Sequence, residues 1–161
     1  MTLAQTVAVA VAVAVAVPVA PRAAVALVAG LPAGTLVMTL QGEVVVEALV
    51  PGDRVISRTM GAAVLRAVAT QQADVALVRI LAGSLGHTRP GRDLTVGPDT
   101  PVHIRDWRAQ ALYGTPAAMI PARRLVDGEF VAMQDKAPVT LYALAFDRAQ
   151  VIYADGLEIG A

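Results

Sequence analysis

Few side chains in this chain of 161 residues are suited to nucleophilic or acid–base chemistry. The absence of cysteine excludes disulfides, thiolate metal sites and thiol nucleophiles. The histidines are His87, in a glycine-rich stretch, and His103, which closes the sequence Thr100-Pro101-Val102-His103. Histidine is the commonest general acid or base near neutral pH, so His103 is the first catalytic candidate and His87 a weaker one. A lone histidine at a strand end is more often structural.

Carboxylates offer no clear site. The aspartates beside turns are typical of turn formers, and their spacing fits neither a calcium loop nor a paired-carboxylate hydrolase site; they include Asp53, Asp93, Asp99, Asp106, Asp127, Asp147 and Asp155. Glycine-rich phosphate loops, serine elbows and paired-histidine motifs are absent from the sequence. We therefore expect no metal and no cofactor.

The charge balance narrows the range of partners. Thirteen basic and thirteen acidic residues give no net charge, which argues against a nucleic acid or an anionic membrane selected by electrostatics. The remaining expectation is an unknown protein partner or a host polypeptide, with no membrane contact beyond a possible leader. The compartment, cytoplasmic or secreted, stays open.

The first 29 residues differ in composition from the rest. Val and Ala alternate from Val7 to Val17, and Pro18 and Pro21 follow. The prolines cut the apolar run short of a transmembrane helix, and residues 1–6 hold no basic residue of the kind that opens a signal peptide. We interpret residues 1–29 as a low-complexity leader, disordered or loosely β, with a degenerate export signal as the alternative. Residues 30–161 are then one domain.

Short apolar runs between turn signals dominate residues 30–161, which predicts an all-β domain. We expect strands over residues 35–40, 43–47, 54–57, 62–69, 75–81, 93–96, 101–105, 131–133, 139–146 and 151–154. Trp107 to Tyr113 is interpreted as a strand pair or hairpin. The stretch from Pro116 to Val126 is the one segment with a helical pattern, and Pro121 divides it.

An ordered set of motifs resembles the bacterial Hint domains, the Hedgehog/intein autoprocessing family. It begins with Pro-Ala-Gly-Thr-Leu-Val over residues 32–37, Gly-Glu at 42–43 and Leu-Val-Pro-Gly-Asp-Arg-Val at 49–55. Residues 78–86, 92–107, 121–128 and 141–156 continue the resemblance in family order. It implies a Hint-like horseshoe of short twisted strands with at most one short helix.

The resemblance also implies where the family chemistry starts. Such domains begin with a Cys or Ser that attacks the carbonyl of the preceding peptide bond, four residues before the Gly of the Gly-Thr pair. That position is Gly30, so the nucleophile is lost. Thr35 lies too far along the chain to close the same ring on the Ala29–Gly30 bond.

The family's general acid is a histidine, and two alignments of its motif are possible. The ungapped one places Ser-Pro-x-His on Gly97-Pro98-Asp99-Thr100, so that Thr100 replaces the histidine. The other matches Thr-x-x-His literally and selects His103, on the opposite face of a strand from Thr100. We prefer the ungapped alignment. A later histidine falls on Ala149, and the sequence has no asparagine for a C-terminal cyclisation.

Three hypotheses follow. The leading one is a Hint-type domain whose ancestral activity is self-cleavage or splicing and which is inactive here, a pseudoenzyme with a binding or structural role; the family resemblance points to a bacterial origin. The second is autoprocessing by an altered mechanism that uses His103 and water. The third is a β-rich extracellular interaction module unrelated to processing.

Overall fold

A computed structural model describes residues 28–161, so the interpretation of the leader lies almost entirely outside the described residues. The described chain forms fourteen short strands and one α-helix. In order they are β1 (Leu31–Pro32), β2 (Leu36–Thr39), β3 (Gly42–Val45), β4 (Arg54–Ser57), β5 (Gly61–Val64), β6 (Ala67–Val75), β7 (Val78–Ile80), β8 (Leu94–Val96), β9 (Pro101–Ile104), α1 (Trp107–Tyr113), β10 (Ala118–Pro121), β11 (Val131–Met133), β12 (Ala137–Ala145), β13 (Val151–Ala154) and β14 (Leu157–Gly160).

The strands form three antiparallel sheets. The largest has eight strands in the order β10-β9-β14-β13-β2-β4-β5, with β3 added beside β2. A second sheet has the order β1-β12-β6, and a third has the order β11-β7-β8. The all-β prediction, with at most one short helix, is confirmed.

One continuous apolar core connects the sheets. Val37, Val55, Ile152 and Leu157 of the large sheet are buried, as is Val78 of the third sheet. On β9 the buried residues are Val102 and Ile104, whereas Pro101 and His103 are only partly buried. Alternation along a strand therefore directs Val102 and Ile104 to the core and leaves residues 101 and 103 on the other face.

The prediction for residues 107–113 is wrong: the segment is the helix α1 and not a strand pair. Asp106 is its N-cap, because its side chain accepts a hydrogen bond from the Arg108 N–H. Gly114 ends the helix in the left-handed conformation, with φ of 69°. Local capping decided this segment against the β preference of its aromatic residues.

The helical prediction for residues 116–126 is also wrong. Ala118–Pro121 is strand β10, which pairs with β9, and a 3-10 turn over Ala122–Leu125 follows it. Pairing with β9 uses the backbone groups that a helix would need. Two other expectations change: residues 62–69 divide between β5 and β6, and the strands β1 and β14 were not expected.

The strands β9 and β14 lie side by side in the large sheet, where Ile159 is opposite Val102. β9 begins and β14 ends near Gly30, because Pro101 and Gly160 line the same cavity as that residue. No helix among residues 28–161 is long and apolar enough to cross a membrane.

Candidate functional site

Gly30 lies just before β1, in a conformation that favours glycine. Its φ is +137°, a region that residues with a side chain rarely adopt. A Cβ atom at this position would stand 2.9 Å from the carbonyl oxygen of Tyr142 and 3.2 Å from the Cβ of Leu141. The backbone of β12 therefore occupies the space that a side chain at residue 30 would need.

Thr100 contacts both backbone groups of Gly30. The Gly30 N–H donates to the Thr100 hydroxyl oxygen at 2.9 Å, and that hydroxyl donates to the Gly30 carbonyl at 3.2 Å. The Thr100 side chain is buried, with 2% of the residue exposed. These two positions are 70 residues apart in the chain, and the fold brings them into direct contact.

The turn before β9 binds the same segment through three further hydrogen bonds. The Gly97 N–H donates to the Gly30 carbonyl at 3.0 Å, and the Asp99 N–H donates to the Val28 carbonyl at 3.0 Å. The Asp99 carboxylate also accepts from the Val28 N–H at 2.8 Å. A Cβ at residue 97 would lie 2.7 Å from the Val28 carbonyl oxygen, so this approach requires glycine. We call residues 28–30 with residues 97–100 the clamp.

Asp99 supplies the charge in the clamp. Its burial disfavours the charged form, but the Arg123 guanidinium, with Nε 2.7 Å from Oδ1, and the Val28 N–H outweigh that effect. The pKa of Asp99 is therefore held below its usual value. The carboxylate is ionised at neutral pH and holds Val28 in place.

A cavity of about 80 Å³ opens beside Gly30. The first and last described segments of the domain both line it, through Ala29 and Gly30 on one side and Gly160 and Ala161 on the other. Most of the remaining wall is apolar, and the Thr100 hydroxyl is the one side-chain hydroxyl on it besides that of Tyr142. No residue lining it carries a His, Asp, Glu, Lys or Arg side chain.

His103 lies on β9 but is not among the residues that line this cavity. Its Nδ1 is 2.6 Å from Oε2 of Glu158, a carboxylate on β14 that is fully buried. The other oxygen of Glu158 accepts from Arg58, Arg89 and Arg105. We call these three arginines, with Glu158 and His103, the arginine cluster.

Glu158 was not singled out from the sequence, although it is the most heavily engaged acid of the described residues. Burial raises the pKa of its carboxyl group, but the hydrogen bond from His103 and the three guanidiniums outweigh burial and hold that pKa below the usual value. The sequence signal was weak, since Glu158 lies between the apolar residues Leu157 and Ile159. The arginines that neutralise it come from three distant segments.

The other candidate residues lie apart from Gly30. The Thr35 hydroxyl donates to the Pro32 carbonyl at 2.8 Å. Ala149 is exposed between β12 and β13, and His87 is exposed in the loop before β8, with φ of 52°. Within residues 28–161 no three His, Asp or Glu side chains converge in a way that could hold a metal ion.

Comparison of the fold with solved structures gives several inteins and related domains. The bacterial intein-like domain from Clostridium thermocellum is 19% identical, with a TM-score of 0.54 over 83% of this chain and 98% of that one. The TvoVMA intein is 13% identical, with a TM-score of 0.56 over 82% and 96% of the two chains. The gp41-1 intein is 14% identical, with a TM-score of 0.53 over 81% and 97%. At these identities the likeness shows the fold alone.

No curated protein matches the chain significantly in sequence. A family model described as the Hint domain, in contrast, matches residues 29–160. This range begins at the residue before Gly30 and ends at the last residue of β14, so it includes Gly30, Thr100 and the arginine cluster. The chain therefore belongs to the Hint domain family.

Proposed function

We propose that this Hint domain does not carry out autoprocessing and acts as a binding or structural domain within a host polypeptide. Hint and intein domains are associated with self-cleavage or splicing. The observation that carries the proposal is the environment of Gly30, where the chain has no attacking atom and no room for one. Such a domain is a pseudoenzyme of its family.

The first step of the family reaction needs a side chain at residue 30. The attacking sulfur or oxygen must reach the Ala29 carbonyl carbon through a five-membered ring, and glycine carries only hydrogen. The Tyr142 carbonyl oxygen, 2.9 Å from the position of a Cβ, occupies the direction from which such a side chain would extend. The backbone supports the loss of the nucleophile as strongly as the sequence does.

The Thr100 hydroxyl is a poor substitute for that nucleophile. It accepts the Gly30 N–H at 2.9 Å, which holds the oxygen near the plane of the Ala29–Gly30 peptide. Attack on a carbonyl carbon comes from above or below that plane. In addition, no base contacts Thr100 among the described hydrogen bonds, and an unactivated hydroxyl is a weak nucleophile.

Thr100 is equally unsuited to be the general acid. A catalytic acid needs a pKa near the working pH, and a threonine hydroxyl does not release its proton in that range. Its proton is directed to the Gly30 carbonyl at 3.2 Å and not to the amide nitrogen that would leave. The contacts support a positioning role, in which Thr100 fixes Gly30.

The alternative that His103 activates water has less support. The imidazole Nδ1 is bound to Glu158 at 2.6 Å, and His103 does not line the cavity beside Gly30. The third hypothesis, an interaction module unrelated to processing domains, is disfavoured by membership of the Hint family.

A structural role suits the arrangement of the domain's ends. Residues 29–30 and 160–161 line one cavity. The points at which a host polypeptide would enter and leave the domain are therefore close together. Neighbouring ends of this kind are what allow a domain to be carried inside another chain.

The test is to express the full chain with a tag at its N-terminus and look for a released fragment that ends at Ala29. Intact protein is incubated with and without hydroxylamine, which cleaves an ester or a thioester, or dithiothreitol, which cleaves a thioester, and its mass is measured. We expect the intact mass in every condition, for the chain itself and for His103→Ala.

Release of a fragment ending at Ala29 would contradict the proposal. If His103→Ala abolished the release, the His103 mechanism would replace it. If the release persisted in His103→Ala but disappeared in Thr100→Val, the Thr100 hydroxyl would be the catalytic group.

A further inference from the structure

Three guanidiniums converge on one oxygen of Glu158. Arg58 Nη1 is 3.3 Å and Arg105 Nη2 is 3.2 Å from Oε1, and Arg89 Nη1 binds the same atom. They come from the end of β4, from the end of β9 and from the loop before β8. The carboxylate itself has no exposed surface. The negative charge of the buried Glu158 carboxylate therefore holds three positively charged side chains close together.

The arginine cluster carries an excess of positive charge. The three arginine side chains and the one glutamate give +3 − 1 = +2. In the other ion pairs of the described residues, no acid is bound by more than one arginine. Arg66 binds Asp147, Arg79 binds Asp93, Arg108 binds Asp106 and Arg123 binds Asp99. Arg92 binds two acids, Glu43 and Asp155. Only at Glu158 do the described ion pairs leave the cations in excess.

Most of the donors in the cluster have no protein acceptor. Each guanidinium has five N–H groups, and for each of these three side chains the one hydrogen bond in the described structure is to Glu158. The three side chains are partly open to solvent, at 41% for Arg58, 25% for Arg89 and 27% for Arg105. The remaining donors are therefore within reach of a ligand from solution.

Glu158 pre-organises this surface. It offsets the mutual repulsion of the guanidiniums, and His103 fixes its orientation through Oε2. Arginine side chains lose considerable rotamer freedom when a ligand orders them. In this cluster the contacts with Glu158 already restrict the three arginine side chains, so they lose less rotamer entropy when a ligand binds.

We propose that Arg58, Arg89 and Arg105 form a binding site for a phosphate group. Arginine forks match the oxygens of phosphate, and each charge-assisted pair is stronger than a neutral hydrogen bond. A phosphate monoester carries about −1.5 to −2 charges at neutral pH, which balances the +2 of the cluster. The group is either free phosphate or the phosphate of a larger molecule, and the site is separate from the cavity at Gly30.

The experiment is an NMR titration of the ¹⁵N-labelled full chain with inorganic phosphate, at an ionic strength kept constant with sodium chloride. We expect saturable one-to-one binding, with shifts of the guanidinium Nε–H signals of the cluster. Phosphoserine and acetate are titrated in parallel. Stronger binding of phosphoserine than of phosphate assigns the site to a phosphate on a larger molecule, and the reverse order assigns it to the free ion.

Variants locate the site. Arg58→Ala removes the most exposed of the three side chains, and we expect phosphate affinity to fall about tenfold, the effect of one charge-assisted hydrogen bond. Arg124→Ala is the matched control, because Arg124 is an exposed arginine whose guanidinium binds the Tyr113 hydroxyl. It should leave the affinity unchanged.

Three results would overturn the proposal. One is the absence of saturable phosphate binding to the unmodified chain, a result that does not depend on any variant folding. The second is unchanged affinity in Arg58→Ala. The third is acetate binding as tight as phosphate, which would make this a carboxylate site.

Discussion

The clamp at Gly30, which adjoins the start of β9, and the arginine cluster, which includes His103 of β9 and Glu158 of β14, are built in opposite ways. At the clamp, backbone groups, the Thr100 hydroxyl and the Asp99 carboxylate hold residues 28–30, and no residue lining the cavity beside them carries a His, Asp, Glu, Lys or Arg side chain. At the cluster, charged side chains meet around a buried carboxylate. Titratable groups of β9 and β14 therefore meet in the arginine cluster and do not line the cavity at Gly30.

The clamp and the arginine cluster use polar contacts for two different purposes. The hydrogen bonds of the clamp fix a backbone and leave nothing free to react. The arginine cluster leaves most of its donors unused, which is typical of a surface that binds a ligand. This contrast supports the proposal of a domain that retains its fold without the family's chemistry, and it can be tested on each region separately.

The largest expected effect is in the cluster. Glu158→Ala leaves the three guanidiniums without a counter-charge, and we expect the free energy of unfolding to fall by about 4 kcal/mol, the cost of breaking a buried ion pair. Urea unfolding monitored by circular dichroism measures it. Asp147→Ala is the control, since Asp147 also binds an arginine but is 70% exposed, and we expect no measurable change there. Equal effects of the two substitutions would contradict a special role for Glu158.

The next effect tests the close approach at the clamp. Gly30→Ala introduces a Cβ at 2.9 Å from the Tyr142 carbonyl oxygen and at a φ of +137°, and we expect a loss of about 2–3 kcal/mol of unfolding free energy. Gly34→Ala is the matched control, because its φ is +90° but no atom lies within 4 Å of the added Cβ. Strain alone should then cost about 1 kcal/mol. If the two substitutions were equally costly, β12 would not be what excludes a side chain at residue 30.

The smallest effect is the pH dependence of the clamp. The pKa of Asp99 is lowered in the folded protein, so its contribution to stability is complete above the unfolded pKa of about 3.9 and is lost as the pH falls through the folded value. We expect the difference in unfolding free energy between the unmodified chain and Asp99→Asn to be constant near neutral pH and to shrink below about pH 4. Urea unfolding at a series of pH values measures it. A difference that grew on acidification would show that the sign is wrong.

Much of the fold follows from local patterns in the sequence. The apolar runs of β4, β11 and β13 predicted strands at their observed bounds. The helix α1 was missed although its caps, Asp106 and Gly114, are adjacent to it in sequence. The aromatic residues Trp107 and Tyr113 have a β preference, but the capping interactions were the stronger determinant.

The candidate site was predictable only in part. Motif order indicated Gly30 and Thr100, and the fold brings those two residues into contact. The arginine cluster was not predictable, because Arg58, Arg89 and Arg105 are 100, 69 and 53 residues from Glu158 in the chain. Local patterns carry no signal for such a convergence. A buried glutamate between apolar residues also interrupts the pattern that would have predicted β14.

The close packing of β12 against Gly30 affects how readily mutation could reverse the proposed loss of autoprocessing. A mutation that restored a cysteine or serine at this position would first meet the Tyr142 carbonyl, and the variant would be less stable before any activity returned. Recovery would require a second change that moves β12 away, and a third that replaces Thr100 with an acid. On the proposed loss of activity, a return one substitution at a time therefore begins with a step that lowers the stability of the fold.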